Sequence, residues 1–463
     1  MKKVFVFCIG GTGLRVMKSI TMLMASGMDT NGYTVVPIIV DPHDTLGEKK
    51  ALNTLLEDYC KIFNDSVTDG REMLNPLNGF FNSPMKSLKS LCNQQNDKSE
   101  PTAQERPFGS FISVSNIPDD DVNKYLLQTL FSQENLDNKL SVGFKGNPNV
   151  GTVVLGKMIT DANWFKEFKD HCEDGDRIFI ISSIFGGTGA SGFPLIVQKI
   201  RSAEESPVVR SAIMGAVSVL PYYALEDPGI TDSDIDSTSF LTKTKSALAY
   251  YQDNIETDYL YYVGEKTMLQ TYENNEEEQK DYAHFIELVA ATALFDFLRR
   301  EKQDTIQYMS RAIRQDKESL DLLSLGDGFK DIVKHIADFM YLRLLVQTLP
   351  TEKYFPLKKT RGMDRTLYEG SSYKNLDRFI ERFYGWYSEL ANNKRAFAPI
   401  AIGTPQNLAN WIKGVAMDRI INDSHLLLEM IITSRKDKEN TNNRLRQLLK
   451  YAYSAIDKYT NII

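Results

Sequence analysis

Two glycine-rich segments carry the strongest chemical signal in the chain: Gly10-Gly11-Thr12-Gly13 and Gly186-Gly187-Thr188-Gly189-Ala190-Ser191-Gly192. Each follows an apolar run, at residues 4–9 and 177–183, and each leads into residues with helical spacing. A loop of this kind suits phosphate. Without side chains the backbone N–H groups approach anionic oxygens closely, and a following helix adds its partial positive charge. Taken alone, the first loop fits a Rossmann dinucleotide site, with Asp41 after the next apolar run as a ribose contact. The G-x-G-x-x-G spacing fails, because the third glycine position counted from Gly11 is Val16. G-x-x-x-x-G-K-[ST] does not occur either, which removes the P-loop NTPases. A Rossmann unit has no use for a second loop of this form. The plain alternative is that both glycine runs only make tight turns in an α/β fold.

Loops of this kind need a sheet to hold them. Residues 4–9, 35–40, 177–183, 212–220 and 259–263 read as short buried strands, and residues 14–25 and 193–202 as the helices after the two loops. The opening β-loop-α-β order predicts an α/β fold with a doubly wound, mostly parallel sheet. Residues 48 to about 140 mix helical pieces with Asn-, Ser- and Pro-rich stretches such as 93–107 and read as an insertion. Residues 282–298 are apolar on most sides, which predicts a buried central helix. Residues 305–324 read as a hairpin. From 329 onwards the pattern is mainly helical with a break near 355–372, and the aromatic run 383–387 reads as core. The expected division is a nucleotide-binding domain over 1–280, the central helix over 281–300 and a mainly helical C-terminal domain over 301–463. Neither an internal repeat nor a coiled-coil heptad is visible.

Composition narrows the class. The 463 residues are 42% hydrophobic and 25% charged, an ordinary globular balance. A formal net charge of -7 argues against general nucleic-acid binding. The four cysteines, Cys8, Cys60, Cys92 and Cys172, lie far apart and form no C-x-x-C pair, so zinc and dithiol chemistry are not expected. Cys8 reads as a small buried hydrophobe. Apolar runs stop well short of the roughly 20 residues of a membrane span. These features predict a soluble protein of a reducing cytoplasm.

Segment 186–192 resembles the GGTGSG motif of tubulins and FtsZ, with Ala190 at the variable small position. Three further segments match that family in order. Gly10–Gly13 corresponds to its first phosphate loop. Gly146-Asn147-Pro148-Asn149-Val150-Gly151 is similar to the GANPEVG loop near the γ-phosphate. Val219-Leu220-Pro221-Tyr222 resembles the strand end and proline turn before the ribose contacts. The resemblance covers about residues 1–300 without the insertion and is nearest to bacterial tubulin-like proteins. It implies GTP or GDP with Mg²⁺. Gly10, Gly11, Thr12 and Gly13 would cradle phosphate together with Gly186, Gly187, Thr188 and Gly189, and the Thr188 and Ser191 hydroxyls would donate. Gly146, Asn147 and Pro148 would stand near the γ-phosphate, and Asp41 near a hydrated Mg²⁺. Glu226 is the ribose candidate. Tyr282 would stack on guanine and His284 bond its edge, where the family often places an Asn.

The resemblance also implies hydrolysis on a neighbouring subunit's nucleotide, and therefore self-association. Gly326-Asp327-Gly328-Phe329-Lys330-Asp331-Ile332 is the nearest match to the catalytic loop of the family. Its acids, Asp327 and Asp331, stand one position further apart than in the family, and residues 299–325 separate them from the central helix. A cap and a first-turn acid of the next helix are an equal reading of the pair. Three functions follow: an assembling GTPase with slow hydrolysis at subunit contacts, a GTP-binding switch or scaffold that works with partner proteins in a bacterial system such as defence, or, third, a Rossmann-type oxidoreductase.

Overall fold

Runs such as Val4–Ile9 have no polar alternation, so they suit strands covered on both faces. In the computed structural model they form the middle of a parallel sheet. Residues 1–42, 47–67, 79–91, 106–140, 144, 147–161, 163–225, 238–265, 270–272, 283–311, 319–320, 327–351, 363–403, 411–413, 422–438 and 442–460 are described. The strands are β1 (Lys3–Ile9), β2 (Thr34–Val40), β3 (Arg177–Ser183), β4 (Ile213–Val219), β5 (Tyr223–Leu225), β6 (Tyr259–Val263), β7 (Gln270–Tyr272), β8 (Gln307–Arg311), β9 (Ser319–Leu320) and β10 (Ala396–Phe397). Six of them make one sheet in the order β2-β1-β3-β4-β6-β8, and every neighbouring pair is parallel. The protein is therefore α/β with a wholly parallel main sheet.

Both faces of the sheet are covered. Phe5 and Phe7 pack edge-on against Phe168 of helix Asn163–His171, with ring centroids 5.0 and 5.1 Å apart. Val6 pairs with Phe179, so these two share the opposite face, where Phe179 meets Phe297 of the central helix at 5.3 Å. That helix, Phe285–Phe297, is buried almost throughout, as its all-round apolar sequence requires.

Two details differ from expectation. The glycine segments do not precede their helices; they are the first turns, in helices Gly10–Ala25 and Gly187–Arg201. Apolar spacing starts only after glycines that contribute no side chain, so periodicity finds the helix a turn late. Among the described residues the expected hairpin over 305–324 does not form, since β8 and β9 are not paired with each other. β8 adds to the sheet edge beside β6, and β9 pairs with β10 of the C-terminal region. Tyr308 stacks on Tyr262, with ring centroids 6.4 Å apart and planes 6° from parallel, which gives β8 a partner in the sheet.

The C-terminal residues form helices Lys330–Thr348, Ser371–Asn392, Asp423–Lys436 and Arg444–Thr460. They pack on one another and against helices Gly10–Ala25 and Gly47–Ser66. The aromatic run is core here, with Phe383, Trp386 and Tyr387 buried.

Candidate functional site

The chain leaves β1 on one side to form β2 and returns to place β3 on the other. The carboxyl ends of β1 and β3 therefore flank the point where strand order reverses, the place at which open α/β sheets leave a crevice. Both glycine segments stand there. Gly10 turns the chain with φ +66, and a Cβ at this position would lie 3.2 Å from Thr188 Cβ and 3.5 Å from Gly189 N, so the two loops touch. Gly13 lets its helix sit directly on the sheet, since a Cβ would lie 2.8 Å from the Cys8 carbonyl carbon and 3.1 Å from Ile181 O. Neither helix has a side-chain cap or an acid in its first turn. Two helix N-termini thus converge without neutralisation from within their own first turns.

The third segment joins them. Asn147 Oδ1 accepts from Asn149 N at 3.1 Å and Val150 N at 3.3 Å, which opens helix Pro148–Asp161. That helix packs along Gly187–Arg201, with Gly151 against Ser191. The buried Ser191 hydroxyl donates to Gly187 O at 2.7 Å, so it braces the second loop from within. Thr12 is buried, and Thr188 is half-buried. Gly146, Glu226 and Tyr282 lie outside the described residues.

A buried polar network adjoins the first loop. Arg15 Nε donates to Glu287 Oε1 at 2.7 Å, and Arg15 Nη2 to the Tyr222 hydroxyl at 3.1 Å. Tyr222 in turn donates to Glu287 Oε1 at 2.7 Å. Arg15 Nη1 pairs with Glu48 at 3.4 Å. Both reach Gly11, whose Cβ position would lie 3.5 Å from Arg15 Nη1 and 3.7 Å from Glu48 Oε2. Asp41 is buried at the end of β2, beside Ile9–Gly10 because Ile9 pairs with Val40. Buried Lys49 donates to its main-chain oxygen at 3.3 Å.

His284 caps the central helix. Its Nδ1 accepts from Ile286 N at 3.1 Å, while its own N–H donates to Glu287 Oε2 at 3.0 Å. The ring is fully buried against Tyr222, with centroids 4.9 Å apart. Burial, then the positive Arg395 and Arg15, push its pKa down to about 3, so the ring is neutral. Burial pushes the Glu287 carboxyl up against the opposing pull of Arg15 and Tyr222, and pushes the Tyr222 phenol well up. Glu265, raised by burial, is ion-paired with Arg395 beside this cluster.

Arg15, Lys18, Glu48, Ala283, Glu287 and Trp386 are among the residues lining a cleft of about 510 Å³ between helices Gly10–Ala25, Gly47–Ser66 and Ser371–Asn392. Sequence reasoning did not single out Arg15, Glu48, Lys49 or Glu287. One signal was present: a lone Glu in the apolar sequence FIELVAATALF must find a partner once buried.

Asp327 and Asp331 are elsewhere. Asp327 starts the short 3₁₀ turn Asp327–Phe329, and Asp331 is an exposed first-turn acid of helix Lys330–Thr348. His335, one turn on, bonds Ser26 O at 3.2 Å, just past the end of helix Gly10–Ala25. The 16 residues of that helix put about 24 Å between this point and the glycine loops. Among the described residues no group of three His, Cys, Asp or Glu could hold a metal, and no helix is long and apolar enough to cross a membrane.

No protein-family model matches the chain, and no curated protein matches it. Among the solved structures that match is CetZ from Methanosaeta thermophila, at 13% identity with a TM-score of 0.26. The match covers 57% of this chain and 46% of that one, so the chain spans under half the length of that protein.

Proposed function

We propose that the chain binds a guanine nucleotide, GTP or GDP, at the carboxyl ends of β1 and β3, and that it is an assembling protein with slow GTP hydrolysis at subunit contacts. The observation that carries the reading is the contact of the two glycine loops at the strand-order reversal, each loop being the uncapped first turn of a helix. Backbone N–H groups of Gly10–Gly13 and Gly186–Gly189 hold the phosphates, with Thr12 and Thr188 beside them. Asn147 and Pro148 bring their helix to the γ-phosphate end. The nucleoside is assigned to the cleft along Arg15 and the guanine base to Tyr282 and His284; His284 also fixes the start of the central helix. Glu226 is assigned to the ribose.

Mg²⁺ keeps most of its water and needs one or two carboxylates plus phosphate oxygens. Buried Asp41, next to the first loop across the β1–β2 pair, fits that demand, and the ion would neutralise phosphate charge. Asp331 stands too far from its own chain's loops to position water there. It is exposed, and so free to approach the nucleotide of a second copy.

The test is direct. Purified protein is denatured and the released nucleotide run on an anion-exchange column. Guanine nucleotide at about one per chain is expected. Nicotinamide dinucleotide would support the oxidoreductase reading instead, and adenine nucleotide would remove the guanine assignment. GTP-dependent light scattering separates assembly from the alternative of a non-polymerising switch or scaffold that works with partner proteins.

A further inference from the structure

An acid from another helix stands at the first glycine loop. Helix Gly10–Ala25 has no acid in its own first turn, but Glu48, in the first turn of helix Gly47–Ser66, reaches across to it. A Cβ on Gly11 would lie 3.7 Å from Glu48 Oε2 and 3.5 Å from Arg15 Nη1. A carboxylate oxygen and a guanidinium nitrogen therefore border the same point of the loop, and they meet each other at 3.4 Å. The guanidinium is also held elsewhere. Its Nε donates to buried Glu287 at 2.7 Å and its Nη2 to the buried Tyr222 hydroxyl at 3.1 Å. The Arg15 side chain is 7% exposed and that of Glu48 17%. The cation is thus fixed by a buried network, whereas the carboxylate stands nearer to water on the longest of these bonds.

These two groups act oppositely on a phosphate at Gly11. The guanidinium attracts it, and the carboxylate, a like charge at close range, repels it. We propose that Glu48 is a built-in competitor of the nucleotide: in the empty site its carboxylate takes the Arg15 Nη1 hydrogen bond, and a bound phosphate displaces it and accepts that bond instead. The proposal rests on the nucleotide reading above and adds to it a residue set against binding. Arg15 stays on Glu287 and Tyr222 throughout, so the exchange moves the Glu48 side chain towards water and leaves the first-loop helix in place. The measured affinity is then lower than the loop itself would give, because only sites with Glu48 displaced are competent to take phosphate.

The experiment titrates protein freed of nucleotide with GDP and, separately, with guanosine by calorimetry, in the wild type and in Glu48→Gln, each with and without Mg²⁺. Glu48→Gln keeps the shape of the side chain and removes its charge. The expected result is GDP bound roughly twofold to tenfold more tightly by the variant, the range set by a partly exposed charge contact, with guanosine affinity unchanged because it carries no phosphate. Should Glu48→Gln fail to fold, Glu48→Asp serves instead: it draws the carboxylate back by one methylene and should tighten GDP in the same direction. GDP affinity unchanged in the folded variant, or guanosine tightened as much as GDP, overturns the competition and leaves nucleotide binding standing. GDP weakened by Glu48→Gln in Mg²⁺ overturns it too, since the carboxylate would then be helping to hold the metal. No GDP or GTP binding in the wild type overturns both readings.

Discussion

Arg15 Nε lies 2.7 Å from Glu287 Oε1 across 272 residues of sequence, and the two side chains are 7% and 1% exposed. This pair fixes the helix that begins with the first glycine loop to the helix at the centre of the molecule. Removing the cation would leave a buried carboxyl beside Tyr222 with its main partner gone. Arg15→Ala should therefore cost about 3–5 kcal/mol of stability, the usual penalty for breaking a buried pair from one side. Urea denaturation measures it. The double variant Arg15→Met with Glu287→Leu should cost much less than the sum of the single changes, and additive losses would show that the pair is not coupled.

A pH effect follows from His284. Its folded pKa is lowered to about 3 from 6.5, so the unfolded chain binds the proton and the folded chain does not between those values. Stability from this group is present above pH 6.5 and is lost as pH falls, with a limiting slope of about 1.4 kcal/mol per pH unit. Glu287 acts in the opposite sense. Its folded pKa is raised, so its contribution is present below its unfolded value and is lost as pH rises through the folded one. Thermal melts of His284→Asn, which keeps a cap acceptor, should show a shallower decline from pH 6.5 to 5 than the wild type. Parallel curves would contradict the buried neutral ring.

The glycines should separate into structural and binding positions. A Cβ at Gly189 would lie 2.6 Å from Ser183 O, which is backbone and cannot yield cheaply. Gly189→Ala should lower stability by about 1–3 kcal/mol, as overpacking does. A Cβ at Gly11 meets only ordinary contacts at 3.5 and 3.7 Å. Gly11→Ala should melt near the wild type but bind nucleotide more weakly, because the methyl stands where phosphate must approach the backbone. Equal nucleotide affinity in folded Gly11→Ala would argue against the first loop as a phosphate site.

Hydrolysis should require a second copy. Turnover per chain is expected to rise with protein concentration, because a water must be held in line with the γ-phosphate and Asp327 and Asp331 of the same chain are remote from it. Asp331→Ala, and to the same end Asp327→Ala, should lower turnover per assembled chain while nucleotide binding survives. If Asp331 serves only the helix start, the change costs about 0.3–1 kcal/mol of stability and leaves turnover intact. Brisk turnover independent of concentration would contradict the shared site.

Much of the fold was legible because its signals are local. The apolar runs 4–9 and 35–40 became Lys3–Ile9 and Thr34–Val40, and Arg177–Ser183 and Tyr259–Val263 were read with their observed bounds. The central helix was evident from apolar residues on every side. What escaped is non-local. Turn residues near 305–324 look like a hairpin until β6 offers β8 an edge. Two glycine segments can be found by inspection, but their contact is set by the strand order, which places β3 against β1. Neither Arg15 nor Glu287 was singled out, although Glu287 is the one acid in an apolar helix start. Periodicity gives no sign that they meet.

The central claim is a guanine-nucleotide site made by both glycine loops. The most direct measurement is an equilibrium titration of nucleotide-free protein with GTP and, in parallel, ATP, repeated on Gly11→Val. The account predicts one saturable GTP site per chain, weaker binding of ATP, and loss of GTP binding in a Gly11→Val protein that still folds. Absence of saturable GTP binding to the wild type, or GTP binding that Gly11→Val leaves unchanged, would contradict it.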